Sequence, residues 1–87
     1  MKIAVFDTYV VRPDGRRMHF DILVEENVND AEQVYEYGKI YLKSVDQEGQ
    51  ALSSKECRFC HIDKAPIEVE NQVRANGFSI IEMENCY

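Results

Sequence analysis

The stretch Arg12-Pro13-Asp14-Gly15-Arg16 decides the fold of this chain, because it separates two runs that are rich in β-branched and aromatic residues. Proline sets φ for the second position of a type I turn, and glycine accommodates the positive φ of the bulge that follows. The sequence therefore predicts a β-hairpin with residues 13–15 as its loop. Such a loop sets Arg12 opposite Arg16 and fixes every pair further along the two strands.

This register divides the side chains of the hairpin into two faces. One face is almost wholly apolar, and its cross-strand pairs are Val10 with Met18, Thr8 with Phe20, Phe6 with Ile22, and Ala4 with Val24. The other face has the pairs Tyr9 with His19, Asp7 with Asp21, Val5 with Leu23, and Ile3 with Glu25. A slip of one residue would mix the two sets, so the hydrophobic pattern specifies the register.

The second face sets two carboxylates, Asp7 and Asp21, directly across from each other. Like charges in that arrangement are unfavourable. One interpretation is a solvated sheet face. The other is a polar binding patch made of Asp7, Tyr9, His19 and Asp21, where one carboxyl has a raised pKa or both hold a cation. A hydrolase that uses Asp7, His19 and Asp21 is a further hypothesis, but the sequence offers it no nucleophile.

The segment after the hairpin predicts a helix that Asn29 caps, with Glu32 three residues further on as in a capping box. Its apolar positions recur at helical spacing. They are Ala31, Val34, Tyr35, Gly38, Tyr41, Leu42 and Val45. Glycine lowers helix propensity, so Gly38 indicates a place where the helix crosses a strand closely.

The stretch Cys57-Arg58-Phe59-Cys60-His61 contains two of the three cysteines. It has no helical stripe, and we predict a short strand. In a regular strand Cys57 and Cys60 point to opposite faces, whereas Cys57 and His61 share one. The C-x-x-C-H string also marks covalent haem attachment, but that reaction belongs to exported proteins, and the sequence shows no export signal.

Three interpretations of these cysteines remain open. In the first, the chain binds zinc through a Cys₃His set made of Cys57, Cys60, His61 and Cys86. In the second, the stretch carries out thiol redox chemistry, with Arg58 and His61 lowering a thiol pKa. In the third, Cys60 is a small buried hydrophobic residue beside Ile62.

The last third of the chain predicts a helix and a strand. Pro66 suits the first turn of the helix, with Val69 and Val73 as its apolar face, and Asn76-Gly77 ends it. Residues 78–83 have apolar side chains on both faces, which is typical of a central strand. We therefore predict one α+β domain over residues 1–87 in the order strand-strand-helix-strand-helix-strand. We expect a two-layer sandwich, with both helices on one face of a four-stranded mixed sheet.

The other face of such a sheet would present apolar side chains to solvent. They are Ile3, Val5, Leu23 and Phe59. A homodimer through this face is a hypothesis.

Composition limits the partners. The hydrophobic share is 45%, which allows a core without disulfides. The net charge is −6 and no basic cluster is present, which disfavours nucleic acid and anionic membranes. No apolar run reaches the length of a membrane span, and an odd number of cysteines fits a reducing compartment. These features predict a cytoplasmic protein.

Three blocks resemble a small bacterial family that is catalogued as domain of unknown function twenty twenty-four. They are MKIAVFDTYV at residues 1–10, MHFDILV at residues 18–24 and CRFCH at residues 57–61. The resemblance covers the whole chain and implies a stand-alone α+β domain, but no activity. We therefore expect a non-catalytic module that binds a small ligand or a protein, without catalytic residues or a resident cofactor. The alternative is a thiol-redox or zinc-binding protein that uses Cys57, Cys60 and His61.

Overall fold

The predicted hairpin forms the centre of the sheet. In the computed structural model, which describes residues 1–86, strand β1 (Lys2–Val11) pairs with strand β2 (Arg17–Glu25). The register is as predicted for every pair from Ile3–Glu25 to Val10–Met18. At the turn, the backbone N–H of Arg12 donates to the carbonyl oxygen of Arg16, and Gly15 adopts φ 88°. The turn residues and the apolar alternation therefore select the same register.

The predicted order of elements is also confirmed. After the hairpin the chain forms helix α1 (Ala31–Ser44), strand β3 (Cys57–Lys64), helix α2 (Ile67–Asn76) and strand β4 (Phe78–Glu84). The strands lie in the order β3-β1-β2-β4. In the described residues, neither helix is long and apolar enough to cross a membrane.

The prediction of a mixed sheet is wrong, because all three strand pairs are antiparallel. β2 and β3 run in the same direction, but the connection through α1 passes over β1, so the two strands are not neighbours. α2 then carries the chain from one edge of the sheet to the other. β4 is consequently an edge strand and not a central one, and its Ile81 and Met83 remain 40% and 53% exposed.

The two helices pack against opposite faces of the sheet, which also corrects the predicted two-layer arrangement. On the first face, Val34 and Leu42 of α1 belong to the same buried cluster as Phe20 and Ile22. On the second face, Val73 of α2 packs with a separate buried cluster, which comprises Ile3, Val5 and Leu23. Both hairpin faces carry apolar residues, so each face requires its own cover.

This arrangement removes the surface from which a homodimer was predicted. Ile3, Val5 and Leu23 are 2%, 4% and 2% exposed beneath α2. Phe59 remains exposed, but it lies on the first face, where its ring meets Phe6 edge-on at 5.7 Å. The apolar residues that the sequence assigned to one open face are therefore divided between the two faces.

The cap of α1 lies one residue later than predicted. The side chain of Asp30, and not that of Asn29, accepts a hydrogen bond from the backbone N–H of Glu32. The predicted close crossing at Gly38 is confirmed. A Cβ placed there would collide with Leu52 Cδ1 and would lie 2.9 Å from Ile22 Cδ1 of β2.

α2 covers only part of the second face. Its Val73 is buried, Val69 is half-buried, and Ile67 is 61% exposed. Gly77 ends the helix in the left-handed conformation with φ 90°, as the sequence predicts. The apolar pairs near the start of β1 lie under the helix, while the polar pairs nearer the hairpin turn lie outside that cluster. This division positions the candidate site.

Candidate functional site

The polar pairs of the second face lie together on the part of the sheet that α2 leaves open. Tyr9 is paired with His19, and Asp7 with Asp21, in adjacent rows of the central hairpin. His19 Nε2 is 3.7 Å from Asp7 Oδ1 and 3.6 Å from Asp21 Oδ1. The four residues of the predicted polar patch are thus neighbours, because each row of the hairpin directs both of its side chains to the same face.

Three of these side chains have the geometry of a metal-ligand set. One ligand atom from each of Asp7, His19 and Asp21 lies within 4.8 Å of the others. In residues 1–86 this is the only group of three or more His, Cys, Asp or Glu side chains that is so close. His19 Nε2 and Asp21 Oδ1 are shielded from solvent and have no hydrogen-bond partner in the described chain. Buried polar atoms of this kind cost free energy unless a ligand satisfies them.

The two carboxylates have unequal pKa values. Burial, and then hydrogen bonding and repulsion from Asp7, raise the pKa of Asp21 to about 6. The pKa of Asp7 is lowered, chiefly because it accepts a hydrogen bond from protonated Asp21, although burial opposes this effect. The pair therefore shares one proton in mildly acidic solution and is doubly charged at neutral pH. A bound cation would relieve that repulsion.

Tyr9 and Arg17 hold the imidazole of His19 in place. The Tyr9 ring stacks on His19 with centroids 4.2 Å apart and an angle of 13° between the planes. The guanidinium carbon of Arg17 lies 4.1 Å from the centroid of the Tyr9 ring. Arg17 was not predicted as a site residue, although it lies two residues before His19 on the same face of β2.

A bulge in the β1–β3 pairing decides where the cysteine stretch points. Phe6 pairs with Phe59, but the next residue back, Val5, pairs with His61, so Cys60 has no partner in the ladder. The extra residue turns His61 to the second face, where it joins Cys60. Cys57 pairs with Thr8 on the first face. The predicted separation of Cys57 from Cys60 holds, but the prediction that Cys57 and His61 share a face is wrong.

The four predicted ligands of the Cys₃His set are not gathered. Cys57 is 3% exposed in the core beneath α1, where burial raises the pKa of its thiol. Cys86 is also 3% exposed, and its thiol donates to the carbonyl oxygen of His19 at 3.4 Å. Cys60 and His61 lie on the other side of the sheet, with Sγ and Nδ1 3.1 Å apart. Of the four predicted ligands, only Cys60 and His61 lie close together.

Cys60 is exposed, so the interpretation of this residue as a buried hydrophobic side chain is wrong. Every residue of β3 after Cys57 is exposed, including Ile62, because neither helix covers this edge of the sheet. Cys60 lies beside the Asp7 carboxylate. Partial removal from water, and then the negative charge of Asp7, raise the pKa of its thiol.

Two cavities open beside the polar patch. One of about 350 Å³ is lined by Asp7, Tyr9, Arg17, Lys55, Glu56 and Arg58. The other, of about 290 Å³, is lined by Tyr9, Arg17, His19, Glu84 and Asn85. Tyr9 and Arg17 line both cavities, so these two side chains form the shared wall between two spaces of the size of a small ligand.

Fold and site together define a small α+β domain with an antiparallel sheet, a helix on each face and an open polar patch. The chain belongs to the family described as Domain of unknown function (DUF2024), whose model matches residues 1–83. The NMR structure of protein NE1680 from Nitrosomonas europaea is 45% identical, with a TM-score of 0.86 over 100% of both chains. No curated protein matches this chain.

Proposed function

We propose that this protein is a non-catalytic binding module whose ligand is a divalent cation held by Asp7, His19 and Asp21. The observation that carries the proposal is the pair of buried atoms His19 Nε2 and Asp21 Oδ1. They lie 3.6 Å apart, beside Asp7 Oδ1, and have no hydrogen-bond partner in residues 1–86. A cation would satisfy both atoms and neutralise the opposed carboxylates.

The ligand set supports this class of ligand. Two carboxylate oxygens and one imidazole nitrogen suit the divalent ions of the first transition series. All three side chains come from β1 and β2, the two central strands of the sheet. Three protein ligands leave coordination positions for water, for a further side chain or for a small molecule in the neighbouring cavities.

Equilibrium dialysis of the reduced protein against zinc or manganese, followed by elemental analysis, tests the proposal. We expect one ion per chain, and we expect the Asp7→Asn/Asp21→Asn variant to bind at least about tenfold more weakly. Glu25→Gln is the matched control, because it removes an exposed carboxylate from the same face of β2 at the far end of the hairpin. Binding that is not saturable, or that persists in the double variant, contradicts the proposal.

The thiol-redox or zinc alternative retains one supporting observation. Cys60 is exposed and its sulfur lies 3.1 Å from His61 Nδ1. A redox cycle between Cys57 and Cys60 is disfavoured, because a disulfide across the sheet would disrupt the pairing of β3 with β1. A Cys₃His zinc site would likewise require Cys57 and Cys86 to leave the core.

The remaining proposals concern surroundings and partners. A net charge of −6 argues against nucleic acid, and three free thiols support a reducing compartment such as the cytoplasm. A homodimer would now rest on the β3 edge, where Phe59 and Ile62 are 57% and 45% exposed. A mass measurement that shows only monomer at high protein concentration excludes it.

A further inference from the structure

We propose that Cys60 joins Asp7, His19 and Asp21 as a fourth ligand when the cation binds, so that the site selects a thiophilic ion such as zinc over magnesium or calcium. This inference rests on the proposed cation site and specifies the class of ion that the site takes.

The bulge in β3 supplies the geometric argument. Cys60 is the residue without a ladder partner, and it leaves the strand on the same face as Asp7. Its thiol lies beside the Asp7 carboxylate and near that of Asp21. The sulfur is outside the compact group of three ligand atoms. Cys60 is exposed, so rotation about its Cα–Cβ bond can bring the sulfur inward without displacing the core.

His61 lies beside this thiol. The bulge places its Nδ1 3.1 Å from Cys60 Sγ, on the side of the sheet that carries the cation site. Its Nε2 lies 3.6 Å from Asp63 Oδ2. We infer no direct contact between His61 and the ion.

Ligand softness is the chemical argument. Two carboxylates and one imidazole discriminate poorly among divalent ions, whereas a thiolate strongly favours zinc or cobalt over magnesium and calcium. Four ligands that supply two oxygens, one nitrogen and one sulfur complete a tetrahedral shell. Coordination exchanges the S–H bond for a metal–sulfur bond and releases the proton to solvent.

Cobalt(II) is the probe for the test, because a cobalt–thiolate bond gives a charge-transfer absorption in the near ultraviolet. We expect this absorption when the reduced chain of residues 1–87 is titrated with cobalt. In the Cys60→Ser variant, cobalt should still bind, but the absorption should disappear. The affinity of this variant for zinc should fall about tenfold or more, whereas its affinity for manganese should be nearly unchanged. Cys57→Ala is the matched control, since it removes a buried thiol from the opposite face and should keep the absorption.

Four outcomes overturn the inference, and they separate its failure from that of the cation site. Cobalt that binds without the absorption, or a Cys60→Ser variant with undiminished zinc affinity, refutes the role of Cys60 and leaves the cation site intact. An absorption that survives Asp7→Asn/Asp21→Asn means that Cys60 binds the ion elsewhere. A protein that binds no cobalt, zinc or manganese refutes the inference and the proposed function together.

Discussion

Asp21 is 15% exposed and faces a second carboxylate across the hairpin, so its charged form is disfavoured in the folded protein. Its pKa of about 6 lies above the ordinary value of 3.8. Between these two pH values the folded chain retains a proton that the unfolded chain has lost. The free energy of unfolding therefore decreases as the pH rises through this window, and the penalty is complete above pH 6.

We expect Asp21→Asn to stabilise the protein by about 1–2 kcal/mol near neutral pH, and to have little effect near pH 4. Asparagine cannot ionise, and its amide can still donate a hydrogen bond to Asp7. Urea unfolding at several pH values measures the difference. Glu26→Gln, at an exposed position at the end of the hairpin, serves as the control and should show no such pH dependence. A stability gain that is constant from acid to neutral pH would contradict this explanation.

At the scale of single residues, the sequence predicts which side chains form the polar patch, but not all of the contacts around them. Alternation and turn chemistry suffice to pair Asp7 with Asp21 and Tyr9 with His19. The contribution of Arg17 depends on how a long side chain folds over a ring, which pairing alone does not specify. The sequence also does not distinguish Asn29 from Asp30 as the cap of α1, because both residue types cap well and the two residues are adjacent.

At the scale of elements, Gly38 is a position where α1 crosses β2 closely. Replacing it with alanine would improve helix propensity by about 1 kcal/mol, but the added methyl group would press on Leu52 and Ile22 in a packed core. We expect Gly38→Ala to destabilise the protein by about 1 kcal/mol, because overpacking outweighs propensity. Thermal or urea unfolding measures the change.

A double-mutant cycle with Leu52→Ala tests this explanation. Truncation of Leu52 removes the atom that the new methyl group would meet first. In that background Gly38→Ala should become neutral or stabilising, which gives a coupling free energy of about 1 kcal/mol. If the cost of Gly38→Ala is the same in both backgrounds, steric contact with Leu52 is not its cause.

The bulge in β3 is the feature of an element that the sequence did not reveal. Cys57–Lys64 contains neither glycine nor proline, so nothing in its residue types marks an extra residue. The bulge is visible only once β1 is beside β3, because Phe6–Phe59 and Val5–His61 then fix two registers that differ by one residue. This is why the shared face of Cys57 and His61 was predicted wrongly.

At the scale of the whole molecule, the sheet divides the three thiols into two populations. Cys57 and Cys86 lie in the core on the first face, whereas Cys60 is open to solvent on the second. We expect a thiol reagent to modify Cys60 rapidly in the native protein. Cys57 and Cys86 should react only at the rate of unfolding, because their exposure requires the core to open.

Mass spectrometry of the labelled protein, with Cys60→Ser as the control, distinguishes these populations. The Cys60→Ser variant should react hardly at all with the thiol reagent without denaturant. In urea, its two remaining thiols, Cys57 and Cys86, should both be labelled. Rapid labelling of Cys57 in the native state would argue that β3 detaches readily. It would then revive a redox cycle between Cys57 and Cys60.

The architecture was predictable in part. Element order and the central hairpin follow from local patterns, whereas strand neighbours depend on where each crossover returns. Both faces of β1 and β2 carry apolar residues, and that fact already required cover on both sides. A single layer of helices cannot provide that cover. The prediction of one helical layer and the prediction of a mixed sheet were therefore both wrong.

The bulge at Cys60 also affects how this protein can diverge. A residue without a ladder partner does not share the constraint that packing imposes on the buried Cys57. Substitution at position 60 can therefore alter what the open face binds, while the hydrophobic core and the strand register stay the same. A chain with this fold can acquire, exchange or lose a ligand preference through a single codon.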